Sequence, residues 1–325
     1  MANYKNIHGL NIPIRASDPS NPLLGEIWYN STSSSLKGQG YVSSSSWATG
    51  GAMNTARRQV AGFGESPTTA VVVCGQNPPA LANTEEYSGT AWTNVTANPQ
   101  VRVKPFGTGT LTAGLVGGGE SGPSSGTNSG EYDGTSWTNS ATIPLTMYDS
   151  TGIGPIAAGV VVHGPQSPNT AVLLYAAGGT WTTGTSSPSF IGSGSAGGTE
   201  AAGIFTAMVP GDVTTSYEYA SGTWTAGGAL NQARNRAASG AQASQAQTLV
   251  FGGNIADATV KASTELYDGT CWSVQADMNT ARRGLGGAGS TSTSALAFAG
   301  YTGSDQAATE EFTGAGPATK TITTS

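Results

Sequence analysis

Short apolar runs alternate with polar, glycine-rich turns along most of this chain. The clearest stretch begins with Ala237–Ala241, a strand of small residues, and continues with the apolar run Thr248–Phe251, which two glycines end. Thr264–Tyr267 and Thr270–Ser273 follow, separated by Asp268-Gly269, a dipeptide typical of tight hairpins. Four short strands separated by turn residues predict one small antiparallel sheet.

This pattern recurs, and a Trp marks each copy. The Trp follows a short Gly/Ser/Thr turn, and successive copies are 45, 45, 44, 43 and 48 residues apart. A period of this length indicates a repeat architecture, in which stacked sheets bury the faces that each sheet alone would expose. We therefore predict an all-β propeller with one four-stranded blade per period. The recurring residues are Trp47, Trp92, Trp137, Trp181, Trp224 and Trp272.

The other strands of each repeat also share features. The second strands are nearly continuous apolar runs, which suit strands covered on both faces. The third strands carry an aromatic residue: Tyr87, Tyr132, Tyr175, Tyr219, Tyr267 and Phe312. The order of apolar strand, double glycine, aromatic and Trp resembles the kelch repeat from about residue 47 to residue 315, which implies a kelch-type β-propeller. The resemblance weakens in the third and fourth repeats, where Gly164-Pro165 and Val209-Pro210 replace the double glycine.

We predict six blades, with seven as the alternative. The sixth repeat has no terminal Trp, so its fourth strand could be Thr319–Thr324 or the Trp47 segment, which would join the two ends of the ring in one blade. Seven blades would follow if Gly25–Asn30, Gly40–Val42 and Trp47 help to build another sheet. The domain prediction is an extended N-terminal arm over residues 1–46 and a propeller over residues 47–325.

Arginines and glutamates recur at fixed places in some repeats. Asn54-Thr55-Ala56-Arg57-Arg58 is nearly copied at residues 279–283, and Arg234 with Arg236 forms a third version. One hypothesis is an arginine-lined surface that binds an anionic ligand. The other is an Arg–Glu pair repeated between blades, since a guanidinium can hold a carboxylate with two hydrogen bonds. We favour the structural pair, because the third and fourth repeats lack both partners. The residues assigned to it are Arg57, Arg234, Arg282, Glu85, Glu265 and Glu310.

The recurring Trp side chains could stack on sugar rings, but one Trp at a fixed place per repeat favours packing within the blades. Polar loops between the second and third strands should cluster on one face of the ring, where recognition usually lies. The two cysteines, Cys74 and Cys271, are expected to be small buried side chains.

Composition limits the function. Of 325 residues, 48 are Gly, only 10% are charged and the net charge is −6, which disfavours nucleic acid as a partner. No apolar run reaches the length of a membrane span, and residues 1–15 lack the apolar core of a signal peptide.

Catalytic signals are weak. Kelch proteins similar to galactose oxidase hold copper with two His and two Tyr, whereas this chain has only His8 and His163. It has no Cys-x-x-Cys, and Gly122–Gly126 matches a nucleophile elbow only within a polar loop. A Ser–His–Asp set and a pair of catalytic carboxylates stay open, because spacing cannot place them. We predict a protein that is not an enzyme and binds no metal or cofactor.

The N-terminal segment carries a further resemblance. Gly25-Glu26-Ile27-Trp28-Tyr29-Asn30-Ser31-Thr32 resembles segments of tailed-bacteriophage structural proteins, and the Asn-Thr-Ala-Arg and Glu-x-Tyr-x-Gly-Thr-x-Trp repeats resemble kelch proteins of marine, cyanobacterial-type phages. The resemblance implies a virion component, made in the host cytoplasm without an export signal. The arm would anchor it to other virion proteins, with Ile12, Ile14, Ile27, Trp28 and Tyr29 as candidate contacts.

Three functions follow from this prediction. The first is a tail fibre, tail or capsid appendage whose propeller binds a host-surface glycan. The alternative is a passive capsid decoration or connector that binds only other virion proteins, and a carbohydrate-active enzyme is the third. Any homo-oligomer would form through the arm or the ring, since the sequence shows no coiled-coil heptads.

Overall fold

A computed structural model of the chain describes residues 12–20, 26–42, 44–120, 126–164, 169–176, 178–206, 213–240, 244–255 and 259–322. The chain divides into two compact units. The ring unit comprises residues 46–313, and the small unit comprises residues 1–45 together with 314–325. The N-terminal boundary between the units falls after residue 45, one residue before the expected boundary after residue 46. The C-terminal residues, which we had placed in the propeller, belong to the small unit instead.

The ring unit consists of six four-stranded antiparallel sheets, here called ring sheets 1 to 6. The all-β, repeat-built architecture predicted from the sequence is confirmed. The described residues contain no α-helix, and a short 3₁₀ turn is found at Gln245–Gln247. A small hairpin of Asn254–Ile255 and Thr259–Val260 lies outside the six ring sheets. The strands of sheets 1 to 3 are Ala61–Phe63, Ala70–Val73, Thr84–Tyr87 and Trp92–Val95; Phe106–Thr110, Ala113–Gly117, Ser129–Tyr132 and Trp137–Asn139; and Thr151–Ile153, Ala158–Val162, Val172–Ala176 and Thr180–Thr183. Those of sheets 4 to 6 are Ser195–Gly198, Gly203–Thr206, Ser216–Ala220 and Thr223–Ala226; Ala238–Gly240, Leu249–Phe251, Thr264–Tyr267 and Trp272–Gln275; and Gly286–Thr291, Ser294–Phe298, Thr309–Thr313 and Ser46–Thr49.

Ring sheet 6 joins the two ends of the ring unit. Its fourth strand is the N-terminal segment Ser46–Thr49, which pairs with Thr309–Thr313 so that Trp47 lies opposite Phe312. The C-terminal strand Gly316–Thr321, the other segment that the sequence left open, pairs with Ser35–Val42 in the small unit. The strand Ile27–Asn30, considered for a seventh blade, also lies in the small unit.

A closed cycle of six backbone hydrogen bonds links the ring sheets. The residue two positions before each first strand donates its N–H to the carbonyl oxygen of the equivalent residue in a neighbouring sheet, at 2.7 to 3.1 Å. All six have left-handed φ values between 50° and 58°. The cycle returns to its starting residue, so the ring is closed by main-chain contacts. These six residues, here called the ring mouth, are Gln59, Lys104, Asp149, Ser193, Arg236 and Gly284.

Small residues let the first strands meet. Three residues after each ring-mouth residue, the chain carries Gly62, Gly107, Gly152, Ala196, Ser239 or Gly287. A Cβ on Gly62 would lie 2.8 Å from the Gly287 carbonyl oxygen, and one on Gly287 would lie 2.3 Å from that of Ser239. Neighbouring first strands therefore approach backbone to backbone, which a larger side chain would prevent.

The recurring Trp residues pack inside and between the ring sheets. Each lies against the aromatic residue opposite it on the third strand, with ring centroids 4.7 to 5.1 Å apart. The indole N–H also reaches the preceding sheet: that of Trp92 donates to Thr309 at 2.8 Å. Trp47, Trp92 and Trp272 are buried, whereas Trp137, Trp181 and Trp224 are half-buried.

Tyrosine–glutamate hydrogen bonds also join neighbouring sheets. The Tyr87 hydroxyl donates to Glu311 and that of Tyr132 donates to Glu86, both at 2.6 Å. Tyr175 with Glu131 and Tyr267 with Glu218 repeat the contact. Burial, together with the carboxylate acceptor, raises the pKa of Tyr87, Tyr175 and Tyr267 to about 12. These tyrosines therefore stay protonated donors at neutral pH.

The small unit contains a sheet where we expected an extended arm. Its strands are Ile14–Arg15, Ile27–Asn30, Ser35–Val42 and Gly316–Thr321. Trp28 is fully buried, and its indole N–H donates to Asp18 at 2.9 Å. The Asn30 side chain donates to the same carboxylate oxygen at 2.7 Å, and these two bonds lower the pKa of Asp18.

Candidate functional site

The loops that we expected to share one face lie beside the segments that lead into the first strands. Arg58 forms a backbone bridge with Gln76, and Arg283 forms one with Tyr301. Gln76 and Tyr301 begin loops between second and third strands. In the third and fourth repeats these loops, at residues 165–169 and 210–213, lie largely outside the described residues, as do Gly122–Ser125 and the Val209-Pro210 dipeptide.

Backbone geometry explains the double glycine that ends these second strands. In ring sheets 2, 5 and 6 the first residue of the pair has φ between 62° and 68°, and the second has φ between 94° and 109°. In ring sheet 6, Ala299 takes the first position at φ 62°, whereas the second, Gly300, lies at 109°. Only the second position requires glycine, because L side chains seldom adopt that conformation.

The first arginine of each Asn-x-x-Arg motif is buried in an ion pair. Arg57 lies 3.0 Å from Glu85, Arg234 lies 2.5 Å from Glu265, and Arg282 lies 2.9 Å from Glu310. All six side chains are at most 3% exposed. We expected these pairs to join neighbouring blades. They instead join the segment before the first strand to the third strand of the same sheet, because the arginine side chain extends along the sheet it precedes.

The asparagine of the motif completes the enclosure of the carboxylate. The backbone N–H and side-chain amide of Asn231 donate to one oxygen of Glu265 at 2.7 and 2.9 Å, and the Gln232 N–H donates to the other at 3.1 Å. Asn54 with Glu85 and Asn279 with Glu310 repeat the main-chain contact. We call each arrangement a carboxylate clamp. Burial lowers the pKa of the three arginines, but a guanidinium stays charged in proteins.

Ring sheets 3 and 4 place apolar residues where the clamp would be. Met147 and Leu173 occupy the Arg and Glu positions of sheet 3, and both are fully buried in one cluster. In sheet 4 the corresponding residues are Ile191 and Tyr217, which pack in another cluster. The motif asparagine is also replaced, by Pro144 and Pro188, which have no N–H to donate.

Ring sheet 2 is a mixed case that the sequence patterns did not reveal. Arg102 is buried at the arginine position, but Gly130 stands where ring sheets 1, 5 and 6 carry Glu. Arg102 donates instead to the carbonyl oxygens of Gly118 and Asn128, at 2.6 and 2.9 Å. The motif asparagine is Pro99 here, as in sheets 3 and 4.

The second basic residue of the motif faces a cavity at the ring mouth. The cavity has a volume of about 230 Å³ and is lined by three arginines, Arg58, Arg236 and Arg283, together with Gln59, Gln76 and Tyr301. The arginines are half-buried. The arginine motif therefore contributes two sets of residues. The first arginine of each copy lies in a carboxylate clamp, and the second lines the cavity.

Neighbouring side chains hold Arg58 and Tyr301 in place. Arg58 pairs with Asp305 at 2.6 Å, and its guanidinium lies 4.6 Å from the centre of the Tyr301 ring. With its oxygen turned towards Arg58, the Gln76 amide accepts two hydrogen bonds at 3.0 Å. Arg283 lies over the same Tyr301 ring at 5.6 Å. Two guanidinium groups thus lie near the Tyr301 ring, and cation–π attraction stabilises such contacts.

Lys104 adds another positive charge to the ring mouth. It lies 3.1 Å from Glu120 and 3.3 Å from Asp149. Burial lowers the pKa of Lys104, but the attraction of Asp149 and the contact with Glu120 outweigh this effect and raise it overall. Two carboxylates therefore neutralise the charge of Lys104.

Neither His163 nor the two cysteines line the ring-mouth cavity. His163 is buried, and its two ring nitrogens lie within 3.0 Å of the carbonyl oxygens of Gly164 and Thr146. His8 lies outside the described residues. Cys74 is buried as expected, and burial raises its pKa to about 12. Cys271 was expected to be buried but is exposed in the hairpin turn, next to Asp268. Within the described residues, no cluster of three metal-ligating side chains occurs.

The candidate anchoring residues differ in exposure. Ile14, Ile27 and Tyr29 are 74%, 42% and 37% exposed, and Ile14 pairs with Tyr29 in the sheet. Ile27 and Tyr29 alternate with the buried Trp28, so they share one face. Ile12 is half-buried. Trp28 therefore cannot contact a partner as placed, whereas the other three strand residues can. No described helix is long and apolar enough to cross a membrane.

Comparison with known proteins supports the fold. No family model matches the sequence, and no curated protein matches it. The solved structure titled "Structure of YjhT" is similar, with a TM-score of 0.65 over 81% of this chain and 95% of that chain, at 12% identity. At this identity the likeness concerns the fold alone. It places the ring unit among all-β, propeller-like proteins.

Proposed function

We propose that this protein is a phage virion component whose ring unit, a six-bladed kelch-type propeller, binds a glycan on the host surface. The six ring sheets and the closed hydrogen-bond cycle support the blade number. The resemblance of the repeats and of residues 25–32 to phage proteins supports the virion. The observation that carries the binding role is the concave, arginine-lined cavity at the ring mouth. The proposed role is binding without catalysis.

The small unit would attach the protein to other virion proteins. Its sheet exposes Ile14, Ile27 and Tyr29 on one face, and large exposed apolar side chains are typical of interaction surfaces. Immunogold labelling of purified particles with an antibody against the ring unit tests the location. Labelling at tail or fibre tips is the expected result. Absence of label from particles would overturn the virion assignment.

The attachment surface can be tested with a matched pair of variants. Ile14→Asp with Ile27→Asp places charges on the small-unit face, and we expect it to abolish incorporation into particles. Val274→Asp is the control, because Val274 is 60% exposed on a ring strand and lies outside the proposed surface. Equal incorporation of both variants would contradict attachment through the small unit.

Binding of fluorescently labelled protein to host cells separates the proposed function from its alternative. The glycan-binding role predicts binding that excess soluble host polysaccharide competes away. A passive decoration predicts even label over the capsid and no affinity for cells.

A further inference from the structure

The two faces of the ring unit differ in charge. All nine of its Lys and Arg lie before first strands or between second and third strands, on the face that carries the ring mouth. The hairpins at the other end of the ring sheets, which join first to second strands and third to fourth strands, contain no Lys or Arg. We call this end the hairpin face. Its hairpins carry four acidic residues: Glu65, Asp133, Glu200 and Asp268.

Two of these acids stabilise their own turns. Asp133 and Asp268 each accept two backbone N–H groups within one hairpin turn, which lowers the pKa of both carboxyl groups. Glu65 and Glu200 instead lie on hairpins that follow first strands. These hairpins are the ones nearest the ring axis, because the first strands meet there. Negative charge at this place attracts a cationic ligand.

A cavity of about 260 Å³ opens at the centre of the hairpin face. Its lining residues come from the ends of first strands, or from the hairpins that follow them, in five of the six ring sheets. Among the described residues that line it, Glu65 is the one charged side chain, and it is exposed. Gly109, Gly154 and Pro155 give the rest of the wall much of its carbon surface.

Backbone contacts hold the wall of this cavity in place. The Thr108 hydroxyl donates to the Gly154 carbonyl oxygen at 2.5 Å, and the Gly289 N–H donates to the Gly64 carbonyl oxygen at 3.0 Å. Each bond joins the first strands or hairpins of two neighbouring ring sheets. Gly109 and Gly154 have φ values of 104° and 84°, which L side chains seldom adopt. The cavity is therefore preformed, and a ligand does not have to order it.

A carbon wall with one carboxylate matches a lysine side chain. The four-carbon stem of lysine packs on apolar surface while its ammonium group stays in water, where Glu65 is exposed. A volume below that of the usual pocket for a drug-sized molecule suits one side chain. Arginine fits less well, because its five N–H donors need more acceptors than one carboxylate supplies.

We propose that the hairpin-face cavity is a docking site for a lysine side chain of a partner protein, with Glu65 accepting the ammonium group. Glu200, next to Thr199 of the wall, adds negative charge on a neighbouring hairpin. This inference goes beyond the proposed function, since it assigns a protein partner to the face opposite the ring mouth. It holds whether or not the ring unit binds a glycan.

An NMR titration of the isotope-labelled full-length protein tests the ligand class without any substitution. The probes are the Nα-acetyl amides of lysine, norleucine and arginine, and glucosamine, all at one ionic strength. We expect the lysine derivative to bind at least about threefold more tightly than norleucine, which has the stem without the charge, because an exposed ion pair adds a modest attraction. Equal binding of these two would overturn the proposal. Arginine or glucosamine binding as tight as lysine binding would overturn the lysine assignment.

The same titration and two variants locate the site. The lysine derivative should shift the amide signals of Gly109, Gly154 and Thr199, which line the cavity. Glu65→Gln keeps the size of the side chain, removes its charge and should weaken binding about threefold. Asp277→Asn is the matched control, because Asp277 is an exposed carboxylate on the segment that leads into ring sheet 6, on the other face. Unchanged binding to Glu65→Gln, or signal shifts outside the cavity alone, would overturn the assignment.

Discussion

Ring sheets 5 and 3 fill the same two buried positions with side chains of opposite chemistry. Sheet 5 buries the ion pair of Arg234 and Glu265, whereas sheet 3 buries Met147 and Leu173 at the same two positions. Burying two charges carries a desolvation cost that their attraction and hydrogen bonds must offset, and apolar residues of similar size avoid it. The comparison teaches that the ring tolerates either solution when both partners change together, and that ring sheet 2, which lacks the glutamate, instead gives its buried Arg102 backbone carbonyls as acceptors.

The asparagine position shows how far this joint change extends. Asn54, Asn231 and Asn279 precede the three clamps and donate main-chain N–H groups to the carboxylates. The sheets without Glu carry Pro99, Pro144 and Pro188 there. Proline has no N–H, so the donor disappears wherever the acceptor is absent. The asparagine and glutamate positions therefore change together in all six ring sheets, whereas the arginine is kept in ring sheet 2.

Breaking one clamp should have the largest effect. Glu265→Ala leaves the Arg234 guanidinium buried without its carboxylate, and we expect a loss of about 3–5 kcal/mol in the free energy of unfolding. Urea denaturation followed by Trp fluorescence measures it. Glu65→Ala is the control, because Glu65 is exposed, and it should change stability by less than about 0.5 kcal/mol. Similar losses for both variants would contradict the importance of the clamp.

The tyrosine–glutamate bonds provide a second internal comparison. Tyr267→Phe removes the donor to the Glu218 carboxylate, and we expect it to cost about 1.5–3 kcal/mol. Tyr219→Phe should cost less than about 0.5 kcal/mol, because Leu174 stands where the carboxylate would be and, among the described residues, no hydrogen bond joins the Tyr219 hydroxyl to a carboxylate. Thermal unfolding of the two variants side by side checks the difference. A larger loss for Tyr219→Phe would reverse the interpretation.

Adding a carboxylate to ring sheet 2, where Arg102 has none, tests the comparison between charged and apolar sheets in the opposite direction. A Cβ on Gly130 would meet no atom closer than 3.5 Å, and the Asn98 amide lies 3.9 Å away. Gly130→Glu would supply a carboxylate to Arg102, and we expect it to raise the free energy of unfolding by about 1 kcal/mol. Gly130→Gln has nearly the same size and no charge, so it separates the ion pair from strand propensity. Equal stability of the Glu and Gln variants would show that no pair forms.

Local patterns predicted much of the ring unit. The Trp period, the apolar second strands and the hairpin glycines each act within one repeat, so the sequence shows them directly. The ring-mouth residues recur at the same intervals as the Trp residues, but Gln59, Lys104, Asp149, Ser193, Arg236 and Gly284 share no chemistry that would mark them. What they share is a left-handed backbone conformation. A sequence indicates this conformation only where the residue is glycine.

Other features depend on contacts that no local pattern carries. The strand Gly316–Thr321 pairs with Ser35–Val42, although almost the whole sequence separates them. Neither segment contains a pattern that identifies its partner. The different roles of Arg57 and Arg58 follow from the direction in which each side chain leaves the backbone. The loss of Asn in favour of Pro wherever Glu is absent was visible in the sequence. It becomes meaningful only once the Asn N–H is known to hold the carboxylate.

Exchanging the whole unit tests the central claim most directly. The variant Asn231→Pro/Arg234→Met/Glu265→Leu gives ring sheet 5 the residues that sheet 3 carries at these positions. Its free energy of unfolding in urea should lie within about 1 kcal/mol of the unsubstituted protein, because paired apolar replacement of a buried ion pair is often neutral or stabilising. A loss as large as that of Glu265→Ala would show that the clamp and the apolar pair are not equivalent solutions.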